Sequence, residues 1–203
     1  MVMRQIDCWV TLGSTYSYLT VMRLPQIEAD ANLLIRFRPF NLGAIFKELG
    51  YFPFPPNSPK TAYMWQDLRR RAEMYGIPVN LPLPYPAKNS ALANAVARLG
   101  MQEGWGRDFI SRSYLEWFQN GLEPGGDPNL TESLRSVGQS PERVVAFAAG
   151  DLGQSSLQQE TDEARALGVF GSPTFVVGDQ LFWGDDRLED AVHWALLGRV
   201  ERR

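Results

Sequence analysis

Cysteine is nearly absent from this chain: Cys8 is the single thiol among 203 residues. One thiol can neither close an intrachain disulfide nor cycle as a resolving pair, so dithiol–disulfide exchange is excluded on chemistry. Histidine is equally scarce. His193 stands alone in an apolar helical run, which argues against a metal site and for a core or surface role. Basic residues are not in excess either, with 20 Lys and Arg against 23 Asp and Glu and a net charge of -3. That balance lacks the electrostatic footprint of nucleic-acid binding. No apolar run approaches the roughly 18 residues of a membrane-spanning helix. The opening Met1–Asp7 has neither the long apolar region nor the small-residue cleavage site of a secretory signal. The expectation is a cytoplasmic protein with no membrane, nucleic-acid or metal partner.

What the chain does have is apolar and aromatic bulk. Hydrophobic residues make up 44%, enough to bury the core of one globular domain with a large insertion. Six tryptophans, seven tyrosines and eleven phenylalanines must either fill that core or line a pocket for a flat ligand.

The order of elements can be read from periodicity and punctuation. Residues 6–12 form a β-branched and aromatic strand that ends at Gly13. Ser14 or Thr15 then caps a helix carrying Tyr18, Leu19, Met22 and Leu24, and Pro25 is expected to kink or restart it. Residues 32–40 alternate as a second strand, with Pro39 marking an end or an edge. From Asn41 to about Gly150 the signals are helical, including Ala62–Tyr75 between two proline-rich stretches and stopped by Gly76 and Pro78. "DPNLTESLRSVG" and "SPERVVAFAAG" each open on a capping residue followed by proline. After another amphipathic helix, "PTFVV" and "QLFWG" meet at Gly178-Asp179, a hairpin signal, and "DDRLEDAVHWALLG" closes the chain as a helix. The fold class is therefore α/β. Residues 1–40 and 151–203 follow the order of a thioredoxin fold, interrupted by an all-helical insertion at 41–150.

In such a fold the loop between the first strand and helix is the reactive position, because backbone N–H groups converge there and favour an anion. Here it reads "GSTYSY", with a hydroxyl and no cysteine. Ser14 is either a helix cap or a donor to the sulfur of a bound thiol. "FGSPTF" supplies Ser172-Pro173 where thioredoxin-type folds place a cis-proline, which frees the Ser172 backbone to pair with an extended peptide. In "WGDDRLEDA", Asp185 and Asp186 are expected to cap the last helix or to meet a ligand ammonium.

Three stretches in this order, "DCWVTLGSTYSYL", "KTAYMWQDLRRRAEMYGIPVNLP" and "ARALGVFGSPTFVVGDQLFWGDDRLEDA", resemble the 2-hydroxychromene-2-carboxylate isomerase family. These enzymes are siblings of kappa-class glutathione transferases within the DsbA-like thioredoxin superfamily, and the resemblance covers essentially the whole chain. It implies glutathione as the bound thiol compound and a homodimer as the assembly. It implies Ser14 as the residue facing the glutathione sulfur and Lys60 as a glutathione contact. Ser172 and Pro173 would pair with the cysteinyl part, and Asp185 and Asp186 would hold the γ-glutamyl end. Four positions depart from the family pattern. Thr15 stands where proline is usual, Asp185 where serine or asparagine is, Tyr51 where an asparagine is common, and Ser172 where valine is frequent. A carboxylate at Asp185 would oppose the α-carboxylate of a γ-glutamyl group unless only the backbone makes the contact.

The implied activity is interconversion of 2-hydroxychromene-2-carboxylate and trans-o-hydroxybenzylidenepyruvate in aromatic catabolism, with a small aromatic substrate. Arg69, Arg70 and Arg71 form either a solvated helix face or a contact for its carboxylate. Two alternatives share the fold: a kappa-like glutathione transferase or peroxidase acting on other electrophiles, and a non-catalytic protein that binds extended peptides.

Overall fold

The computed structural model describes residues 5–200. A four-stranded sheet has the order β2-β1-β3-β4, formed by β1 (Ile6–Val10), β2 (Ile35–Pro39), β3 (Thr174–Val177) and β4 (Gln180–Trp183). β1 runs parallel to β2 and antiparallel to β3, and β3 turns back on β4 through Gly178-Asp179. Alternation along β1 sorts its side chains onto two faces. Ile6, Cys8 and Val10 enter the larger core, while Trp9 joins Phe40, Leu42 and Val176 on the other side. Cys8 is fully buried, and burial pushes its thiol well above the usual range. It is a small apolar core residue, not a reactive thiol.

α1 (Thr15–Ala31) follows β1, and β2 leads to a short α2 (Leu42–Glu48) that the sequence reading did not separate. α3 (Pro59–Tyr75), α4 (Ser90–Glu103), α5 (Gly106–Asn120), α6 (Asn129–Ser136) and α7 (Pro141–Ala149) follow with no strand among them. α8 (Asp151–Ala166) returns the chain to β3, and a 3₁₀ turn (Asp185–Arg187) leads into α9 (Leu188–Leu197). This is a thioredoxin fold in which helices fill the span between β2 and α8. Its larger core is continuous across that boundary: Ile6, Leu12 and Tyr18 share it with Phe109, Tyr114, Trp117 and Leu134. Tyr18 of α1 stacks on Phe118 of α5 at 3.9 Å, and its hydroxyl donates to the Pro78 carbonyl at 2.6 Å.

Three expectations need correction. Pro25 does not break α1, which runs unbroken to Ala31 and is closed by Asn32 in the left-handed region. The proline lies on the exposed side, while buried Arg23 and Leu24 hold the inner face. Pro128 is the N-cap of α6 and not its first residue, with Asp127 accepting from the Thr131 hydroxyl at 2.6 Å. The third concerns Asp185 and Asp186. They form the 3₁₀ turn, and α9 starts at Leu188 without a side-chain cap. The strands are also shorter than expected, since 11–12 and 32–34 belong to loops. Among the described residues no helix is long and apolar enough to cross a membrane, and no cluster of three His, Cys, Asp or Glu could hold a metal.

Candidate active site at the start of the first helix

Ser14 is the N-cap of α1, and its Oγ accepts from the Ser17 N–H at 3.3 Å. The same hydroxyl donates to the Ser172 carbonyl at 2.7 Å. The two sequence features therefore meet: the serine loop faces the Ser172-Pro173 bond, which is cis. The Ser172 side chain completes the junction. Its Oγ accepts from the Thr11 N–H at 3.0 Å and lies 2.7 Å from the Ser17 hydroxyl.

The helical segment holds this loop from behind. Asn94 of α4 is buried; its Oδ1 accepts from the Leu12 N–H at 2.8 Å. Its Nδ2 donates at 2.7 Å to both the Thr11 hydroxyl and the Ser90 carbonyl. The buried Tyr114 hydroxyl of α5 donates to the Thr11 carbonyl at 2.7 Å, with the Ser14 carbonyl at 3.2 Å. Gly13 permits a close approach, because a Cβ there would lie 3.0 Å from that of Ser90. These supports were not among the sequence candidates. A polar Asn94 on the apolar side of an alanine-rich helix was the available signal, since buried amides are kept only where all their hydrogen bonds are met.

The loop opens into a cavity of about 620 Å³. Its far wall is aromatic, with Phe46 of α2, Tyr51, Phe52 and Phe54 on the α2–α3 connection, Phe170 before the proline loop and Trp183 at the end of β4. Trp183 lies directly on Gly171, where a Cβ would come within 2.2 Å of its indole nitrogen, and it meets Phe170 at 4.9 Å. Polar groups occupy one side. Tyr16 donates to Asp67 at 3.0 Å, and Arg71 Nε reaches the same carboxylate oxygen at 3.1 Å. Burial, followed by Asp67, pushes the Tyr16 phenol up, so it stays protonated.

The sequence-derived candidates fall as follows. Ser14, Lys60, Ser172, Asp185 and Asp186 line the cavity, and Pro173 lies beneath, its carbonyl accepting from the Gly184 N–H at 2.9 Å. Lys60 donates to the Tyr51 hydroxyl at 2.9 Å and sits over Phe54 at 5.3 Å. Tyr51, at the place where the family often has asparagine, therefore becomes a ligand of Lys60. Asp185 does not offer a carboxylate to the cavity. Its Oδ1 accepts from Thr20 and Arg23, both at 3.0 Å, and its side chain is 1% exposed. Burial pushes its pKa up against the opposing pull of Arg23. The anticipated opposition to a ligand carboxylate is thus removed by turning the group toward α1. Asp186 lies 3.4 Å from Arg187 and 4.0 Å from Arg71. Of the three arginines on α3, Arg71 reaches the cavity, Arg70 pairs with Asp67 at 3.6 Å, and Arg69 is exposed.

A thioredoxin fold with a hydroxyl in place of the reactive thiol, facing a cis-proline loop across an aromatic cavity, defines the class. The DSBA-like thioredoxin domain matches residues 5–193, and the chain belongs to that family. The 2-hydroxychromene-2-carboxylate isomerase of Sphingobium xenophagum is 28% identical over 92% of this chain and 95% of its own length. Glutathione S-transferase kappa 1 of Caenorhabditis elegans is 26% identical over 90% of this chain and 87% of its own. A solved structure of 2-hydroxychromene-2-carboxylate isomerase superposes with a TM-score of 0.80 at 25% identity, covering 91% of this chain and 90% of that one.

Proposed function

We propose that this protein is a glutathione-dependent isomerase that interconverts 2-hydroxychromene-2-carboxylate and trans-o-hydroxybenzylidenepyruvate in aromatic catabolism. The observation that carries this reading is the Ser14 hydroxyl at the start of α1, 2.7 Å from the Ser172 carbonyl at the base of an aromatic cavity. In this reading the cysteinyl N–H of glutathione takes the Ser172 carbonyl. That releases the Ser14 hydroxyl to donate to the sulfur instead. Lys60 meets a carboxylate of the tripeptide, Pro173 shapes the backbone edge it pairs with, and the Asp185-Asp186 turn receives the γ-glutamyl end. Asp186 presents the accessible carboxylate there, 39% exposed, since Asp185 is 1% exposed and committed to Arg23.

The energetics suffice. A free thiol titrates near 8.5. A helix N-terminus favours an adjacent anion by about 0.3–1 kcal/mol, and a hydrogen bond to a charged group adds about 1.5–3 kcal/mol. At about 1.4 kcal/mol per pKa unit, the two bring the thiol to about 7 or below. The thiolate adds to a conjugated carbon of the substrate, which turns a double bond into a rotatable single bond. Rotation and expulsion of the thiolate then give the other isomer, with glutathione regenerated.

Glutathione titration of the wild-type protein, followed by ultraviolet thiolate absorbance, tests the reading. The wild type is expected to show the thiolate band, and Ser14→Ala to bind glutathione without it. Absence of binding to the wild type would sink the proposal and leave a peptide-binding protein. The kappa-class relative supports a second reading, a glutathione transferase or peroxidase using the same Ser14. Stoichiometry separates the two, because a transferase or peroxidase consumes glutathione during turnover and an isomerase returns it.

A further inference from the structure

The γ-glutamyl end of glutathione carries an ammonium and a carboxylate on one carbon, so a site for both needs an anion beside a cation. The turn assigned to that end is acidic. Asp185 and Asp186 both line the cavity, and two of the cations around them are already engaged. Arg23 is buried between Asp185, at 3.0 Å, and Glu189. Arg187 pairs with Asp190 at 2.9 Å and stands outside the cavity wall. Asp185 gives no relief, since its Oδ2 is buried without a hydrogen-bond partner among the described residues. A ligand carboxylate entering here meets negative charge unless a cation comes from another element.

α3 carries one. Among the described residues, Lys60 and Arg71 are the two cations on the cavity wall. Both belong to α3, about three turns and about 16 Å apart along its axis, a spacing that returns to the same helix face. Asp67 lies between them on that face and orients the guanidinium. Its Oδ2 accepts from the Arg71 Nε at 3.1 Å and from the Tyr16 hydroxyl at 3.0 Å. With Nε held, Nη2 of Arg71 stands 4.0 Å from the Asp186 Oδ2, too far for a hydrogen bond between them. The two side chains are 27% and 39% exposed, so a bound ligand can reach both. An arginine fork also matches a carboxylate in geometry, which a lysine point charge does not.

We propose that Arg71 binds the α-carboxylate of the γ-glutamyl end while Asp186 takes its ammonium. One face of α3 then contacts both carboxylates of the tripeptide, through Lys60 at one end and Arg71 at the other. This rests on the glutathione reading and gives it a specificity-determining residue. It also accounts for the acidic departure at Asp185. The carboxylate there turns toward Thr20 and Arg23, and the cation that a γ-glutamyl carboxylate requires comes from α3.

Calorimetric titration with glutathione and with γ-aminobutyryl-cysteinylglycine, which lacks only the α-carboxylate, tests this in the wild type and in Arg71→Met. The wild type is expected to bind glutathione about tenfold more tightly than the analogue, the lower end for a hydrogen bond to a charged group because the site is partly exposed. Arg71→Met is expected to bind the two alike, at the affinity the wild type has for the analogue. That pattern belongs to a direct contact, because a merely structural role would weaken both ligands together. Equal wild-type affinities, preserved discrimination in Arg71→Met, or a parallel loss for both tripeptides would each overturn the assignment. So would a rise in KM for the chromene carboxylate with glutathione affinity unchanged, which would give Arg71 to the substrate carboxylate instead. Failure of the glutathione reading has a different signature: the wild type would bind neither tripeptide, and both proposals would fall together.

Discussion

The two walls of the cavity are built from different materials. On the Ser14 side, every support is a hydrogen bond to a buried partner: Asn94 to Leu12 and Thr11, Tyr114 to Thr11, Ser172 to Thr11 and Ser17. Opposite, the α2–α3 connection presents Tyr51 at 50% and Phe52 at 42% exposure, joined to the rest by ring contacts and Lys60. Hydrogen bonds in a buried network fix atoms in direction as well as distance. Aromatic contacts at the surface fix little beyond proximity. A group that must meet a sulfur needs the first kind of wall, and a surface that must accept a flat ring can be made of the second. The contrast leads to a testable ordering: substitutions on the polar wall should cost stability, and those on the aromatic wall should cost substrate affinity.

Asn94→Ala should have the largest effect. It strands the Leu12 N–H and the Thr11 hydroxyl in a dry site, at about 1–3 kcal/mol for each unsatisfied group. A loss of about 3 kcal/mol, or roughly 10 °C in Tm for a chain of this size, is expected by thermal denaturation. A loss under about 1 kcal/mol would show that water satisfies the loop and that the polar wall is not rigid. Ser172→Val comes next. Valine leaves the Thr11 N–H and Ser17 hydroxyl unpaired, for about 2 kcal/mol, but keeps the backbone edge. Glutathione affinity should therefore survive a fall in Tm; loss of affinity in step with stability would mean that the side chain, not the backbone, meets the ligand. Ser14→Ala should be milder in stability, about 1 kcal/mol for a lost N-cap, with an intact far-ultraviolet spectrum. A loss above about 2 kcal/mol would indicate that its bond to Ser172 holds the two loops together.

This asymmetry also explains what could be read in advance. The polar and proline markers Ser14, Ser172-Pro173 and the Asp185-Asp186 pair sit beside turns, where residue type and punctuation are local signals. The β3–β4 hairpin followed from the same local logic, because Gly178-Asp179 joins two strands that are neighbours in sequence. Asn94 and Tyr114 were invisible in that sense. They lie 80 to 100 residues from the loop they support, and each looks like an ordinary member of its helix. Asp185 was misread as a cap for a related reason. Its partners Thr20 and Arg23 lie on α1, so the charge that turns the carboxylate inward is distant in sequence and absent from the local pattern. The unbroken passage of α1 through Pro25 is likewise a tertiary effect, in which packing of Leu24 outweighs a local breaker.

The smallest stability effect, and the sharpest test of the contrast, is expected from Tyr51→Leu. The substitution removes an edge-on contact with Phe46 at 6.1 Å and the hydroxyl that receives Lys60, both at the surface. Exposed contacts of this kind contribute little, so Tm should change by no more than about 0.5 kcal/mol allows. The glutathione thiolate band should be unchanged, because nothing on the Ser14 side has moved. What should change is KM for the aromatic substrate, which should rise about tenfold, the equivalent of about 1.4 kcal/mol for a lost ring contact, at constant kcat. A fall in Tm matching that of Asn94→Ala would make both walls structural and dissolve the distinction. A fall in kcat with KM unchanged would instead place Tyr51, and through it Lys60, in the chemical step, moving part of the reactive machinery to the aromatic side.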